Sequence, residues 1–136
     1  MVEHPAQGGE VQVRILFGWP VIKEKVVMDL ANEISSKCNY LNTQIEQLSK
    51  TGKEYAEAYT KYRIALAKEL MKLKDEGFAI TLAGDIARGR PEIARLKFEE
   101  ISKEAVYKAN LESINATKLQ IKILDAQLER EWVHND

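Results

Sequence analysis

Four cationic side chains, Arg88, Arg90, Arg95 and Lys97, fall in one short stretch that holds only Asp85 and Glu92 in opposition. Local positive excess of this kind engages a nucleic-acid backbone or an acidic protein surface, because phosphate and carboxylate oxygens answer guanidinium donors. The plainer account is a solvated loop with charges at helix ends. Tyr55, Tyr59 and Tyr62 present three rings close together. They make either a core layer with outward hydroxyls or a surface for stacking unpaired bases, and exposure separates the two. Near the start, Val11, Val13, Ile15 and Phe17 alternate with Gln12, Arg14 and Leu16, and Trp19 follows. Val13, Ile15, Phe17 and Trp19 are therefore candidate anchors for a partner protein, since buried aromatic and aliphatic side chains dominate interface energetics.

Other reactive groups do not combine into a site. His4 and His134 are the only histidines, one near each terminus, and no cysteine or carboxylate cluster surrounds either at ligand spacing, so no metal is expected. Cys38 is the single thiol. It sits in an apolar stripe without a nearby histidine and reads as a packed small hydrophobe. Paired acids such as Glu99 with Glu100, or Glu129 with Glu131, need burial to act as acid and base, and their positions predict solvent exposure. The glycines fit neither a P-loop nor a dinucleotide fingerprint. No catalytic residue, cofactor or metal is expected, and an enzyme is the least supported class.

Composition bounds the fold. The chain has 136 residues, 30% charged, with a net charge of −1, seven glycines and three prolines. Such a composition suits a helical protein, and near-neutrality opposes broad capture of nucleic acid. There is no signal-like start and no run approaching a spanning helix, so a cytoplasmic location without membrane contact is expected.

The strongest pattern is a rhythm of three- and four-residue steps through Val27, Leu30, Ile34, Cys38, Leu41, Ile45, Leu48, Gly52, Tyr55, Tyr59, Tyr62, Leu66, Leu70 and Leu73. It predicts a long helix over about 23–76 with one buried stripe, marked by Ile45 and Leu66. The register passes Gly52 without an insertion, which favours a bend or an unbroken helix over a turn. Gly77 reads as a C-cap and Pro91 as a helix start. The tip over 77–90 has room for one short helix at about 80–88. A second long helix follows over 91–133, with a broader and less regular apolar set that includes Ile93, Leu96, Ile101, Ala105, Leu111, Ile114, Ile121, Leu124, Leu128 and Trp132. Residues 1–22 read as an extended N-terminal arm with a β-strand at 11–17.

The expected fold is all-α: a long antiparallel αα-hairpin, or coiled coil, with a short helical tip and the extended arm. Two helices bury one stripe each, so the wide second face invites self-association into a helical bundle, with a dimer favoured.

The block Tyr55-Ala56-Glu57-Ala58-Tyr59-Thr60-Lys61-Tyr62-Arg63-Ile64-Ala65-Leu66-Ala67-Lys68, the interrupted tip from Gly77 to Gly89 and the closing helix to Trp132 resemble small coiled-coil proteins of phages and prophages of Gram-positive bacteria. Those proteins are often encoded among genes for single-strand annealing, single-strand binding or replication. The resemblance spans roughly residues 34–132 and carries no settled activity, so it assigns no functional residue. It implies a bacterial host cytoplasm and a non-enzymatic role through protein–protein interaction, such as an accessory of phage DNA recombination or replication. Alternatives are an inhibitor or adaptor aimed at a host defence or replication protein, and single-stranded nucleic-acid binding through the basic tip. Gln12-Val13-Arg14-Ile15-Leu16-Phe17 also loosely resembles the extended Q-x-x-x-L-F peptides that dock on the bacterial sliding clamp.

Overall fold

In a computed structural model, the backbone is described for residues 3–133 and the side chains for residues 20–133. Three helices account for nearly all of this: α1 (Glu3–Asp75), α2 (Ile80–Gly89) and α3 (Pro91–Val133). The fold is all-α, with no strand among the described residues. The expected extended arm with a strand at 11–17 is thereby corrected, because α1 includes that segment and Pro20 as well. The physical reason is hydrogen bonding. A lone strand has no neighbour for its backbone donors and acceptors, whereas a helix pairs them within the segment.

Two compact units divide the chain, one formed by residues 42–115 and the other by residues 1–41 with 116–136. Within the 42–115 unit, α1 and α3 run antiparallel. Gln44 meets Ser113, Thr51 meets Asn110, Glu54 meets Lys103 and Glu69 meets Arg90, so partners descend α3 as α1 ascends. Glycine makes room for the Tyr107 ring, since a Cβ on Gly52 would lie 3.3 Å from its Cε2. The helix passes through Gly52 unbroken.

The turn after α1 explains why it stops there. Gly77 has a φ of 95°, its N–H donates to the Lys74 carbonyl at 3.0 Å, and the Phe78 N–H donates to the Leu73 carbonyl at 3.2 Å. This is the Schellman arrangement, in which a left-handed residue returns two donors to the last carbonyls. At the start of α3 the Arg90 carbonyl accepts from the Ala94 N–H at 2.9 Å, with Pro91 in the first helical position, where its missing N–H costs nothing. Between these two boundaries α2 folds down on α1 through small side chains. Ala83 and Ala87 join Tyr62, Leu66, Leu73 and Ile93 in one buried cluster. Alanines let α2 approach closely, and Leu73, 1% exposed, fills the space beneath.

The 1–41/116–136 unit is packed more lightly. Val27 and Ala31 of α1 line a hollow with Leu128 and Trp132 of α3. Val27, Leu30, Ile34 and Leu41, with Ile121, Leu124 and Leu128, are half-buried, and no described apolar side chain here is fully buried.

Candidate functional site

The seam in the 42–115 unit departs from the apolar stripe in one column. Its buried or half-buried α1 residues include Gln44, Leu48, Thr51, Tyr55, Ala58 and Tyr62. One half of the expected rhythm is present, at Leu48, Tyr55 and Tyr62. The other half is displaced by one position, from Ile45 and Tyr59 to Gln44 and Ala58, with Thr51 joining Gly52. Ile45 and Tyr59 instead stand 46% and 45% exposed. Ile45 is therefore no marker of the buried stripe, while Leu66 is. In the other unit Cys38 is exposed, which corrects its reading as a packed residue.

The displaced column carries a polar layer. The Gln44 Nε2 group donates to Ser113 Oγ, the Asn110 Nδ2 group donates to the Gln44 backbone carbonyl at 3.2 Å, and the Thr51 hydroxyl donates to Asn110 Oδ1 at 2.8 Å. Gln44 is 3% exposed, and its Oε1 has no hydrogen-bond partner. Sequence reading missed this layer because it followed the apolar residues. The usable signal was polar residues at the same seven-residue interval, Gln44 and Thr51 on α1, Asn110 and Thr117 on α3.

One acid expected at the surface is also inside. Glu100 is 5% exposed, and Lys97 Nζ lies 3.0 Å from its Oε2 and 4.8 Å from the centre of the Tyr62 ring. The hydrogen bond to Glu100 holds Lys97 above the usual lysine range, against a smaller opposing effect of burial. Glu104 does the same for the exposed Lys108, over 2.7 Å. The three tyrosines do not form a stacking platform. Tyr62 is buried, Tyr55 packs on Tyr107 with ring centres 5.9 Å apart, and only Tyr59 is open.

The tip arginines are distributed rather than pooled. Arg90 pairs with Glu69 at 3.2 Å and Arg95 with Glu99 at 3.6 Å, while Arg88 lies over Gly84. With Lys97 on Glu100, three of the four cations therefore meet carboxylates contributed from outside the stretch or from the next turn of α3. Beside them, Leu70, Met71, Lys74, Ile80 and Ala83 line a shallow hollow of about 190 Å³. Its rim is apolar, with Met71 and Ile80 exposed at 68% and 73%. On α3, Phe98 and Ile101 are exposed, as is Trp132 in the other unit. The side chains of Val13, Ile15, Phe17 and Trp19 lie outside the described residues.

Among the described residues no group of acids, histidines or cysteine is placed to hold a metal ion, and no helix is long and apolar enough to cross a membrane. The fold and its surfaces thus define an all-helical protein with open apolar patches. Compared with family models, curated proteins and solved structures, the chain matches none.

Proposed function

We propose that this protein works by binding other proteins and catalyses no reaction, in the manner of the phage and prophage helical hairpins it resembles, as an accessory of DNA recombination or replication in a bacterial cytoplasm. The supporting observation is the amount of large apolar surface left in water. Nineteen large hydrophobic side chains are exposed among the described residues, against five buried ones. Contiguous exposed apolar surface, as where Leu70, Met71, Ile80 and Ala83 line one hollow, is characteristic of sites that meet a partner. Self-association, most simply as a dimer, covers part of this surface and leaves the remainder for a phage or host protein.

Binding to a host defence or replication protein is the nearest alternative, and differs only in the identity of the partner. Direct capture of single-stranded nucleic acid is less favoured, because Glu69 and Glu99 already engage two of the tip arginines. Sedimentation of the purified chain and co-purification from infected or lysogenic cells test the proposal together. A partner that is retained by the parent and lost on Met71→Ser with Ile80→Ser, or on Phe98→Ser, supports it. A monomer that retains no protein, yet binds an oligonucleotide at low salt, overturns it.

A further inference from the structure

α1 offers two ways to face α3, and they differ by a rotation of roughly 50° about its own axis, half the step between adjacent residues. In one setting Gln44, Thr51 and Ala58 turn inward. In the other Ile45 and Tyr59 do, and Gly52, already half-buried against Tyr107, moves further in. Hydrophobic burial alone favours the second, because it hides an isoleucine and a tyrosine in place of an amide and a hydroxyl. The protein adopts the first, leaving Ile45 and Tyr59 in solvent.

We infer that the Gln44–Thr51–Asn110–Ser113 layer is a rotational lock that holds α1 in the less apolar setting and so keeps the Ile45/Tyr59 column at the surface. Three hydrogen bonds between the helices exist only in this setting: Gln44 to Ser113, Thr51 to Asn110, and Asn110 to the Gln44 carbonyl. Turning α1 withdraws the Gln44 and Thr51 side chains from their partners and leaves the half-buried Asn110 amide without them. A buried polar group without a partner is heavily penalised. The layer is not built for maximal stability, as the unsatisfied Gln44 Oε1 shows. Polar residues placed in an otherwise apolar helical seam commonly act in this way, choosing one arrangement over others at a cost in stability.

The lock is tested by removing the α3 side of the layer and reading which face of α1 is open. In a Cys38→Ser background, a reporter thiol is placed by Ala58→Cys in one protein and by Tyr59→Cys in another, positions that share the two columns but make none of the layer's hydrogen bonds, and the maleimide reaction rates are compared. With the layer intact the thiol at 59 reacts at least about tenfold faster than the thiol at 58, as expected of an exposed and a buried group. Adding Asn110→Ala with Ser113→Ala is expected to bring the ratio to about one or below. Ser113→Thr alone, which keeps the hydroxyl, leaves the parent ratio. An unchanged ratio in the double variant overturns the lock. Loss of helical structure in the double variant overturns it too, since the layer then holds the helices together rather than choosing their facing.

Discussion

Leu73→Ala tests the packing of the tip most sharply. Among the described residues Leu73 is the one large side chain with 1% exposure, and it lies under α2 among Tyr62, Leu66, Ala83, Ala87 and Ile93. Truncation removes three carbons, worth about 2.4 kcal/mol at roughly 0.8 kcal/mol per buried methylene. A cavity adds to this, at about 24 cal/mol for each Å³ that fails to collapse. Collapse is poor here because two of the facing residues, Ala83 and Ala87, are too short to reach into the gap. The expected cost is about 3–4 kcal/mol, in the middle of the observed range for such changes. Urea unfolding followed by circular dichroism measures it, with Met71→Ala as the control. Met71 is mostly exposed on the neighbouring turn, so its truncation should cost about 0.5 kcal/mol or less. The midpoint should fall for Leu73→Ala with little change in slope. A cost below about 1 kcal/mol, or equal costs for the two variants, refutes the packing argument.

Gly77→Ala should destabilise by about 1 kcal/mol, measured the same way, because a side chain at φ 95° is strained although nothing crowds the position. Alkaline pH should weaken the protein in part through Lys97. Its folded pKa is raised by Glu100, so its contribution is complete below the unfolded lysine value and disappears as pH rises through the folded one. Lys97 is nearly half exposed, so the effect is a few tenths of a kcal/mol. It appears as a steeper loss of stability in the parent than in Lys97→Met above about pH 10; identical pH profiles would show that the pair contributes nothing.

What could be read from the sequence was local chemistry. Gly77 and Pro91 bounded the tip because left-handed backbone and a missing N–H are properties of single residues. The second long helix therefore came out with its observed limits, and α2 to within a residue. The Leu48, Tyr55 and Tyr62 column was legible because both facing arrangements of α1 share it. The Gln44 and Thr51 column was not. Its burial depends on Asn110 and Ser113, far away in sequence, and hydropathy ranks Ile45 above Gln44. The same limitation hid Glu100, which sits inward on α3 beside Tyr62 while its pair with Lys97 gives it the periodicity of a surface acid. The charge at Arg90 and Arg95 was visible, but the answering Glu69 lies on the opposite arm of the turn and enters only through folding. The initial segment misled for another reason. Alternation indicates a strand only where a second edge exists to receive it, and the described chain provides none.

The open position of Cys38 has a practical outcome for anyone handling this protein. One thiol in water means that a dye or spin label attaches at a single defined point without prying the helices apart. It also means that air can tie two molecules together by a bond unrelated to their natural affinity. A doubled mass seen without reductant would report oxidation, and only the mass that persists with reductant, or after Cys38→Ser, speaks for association.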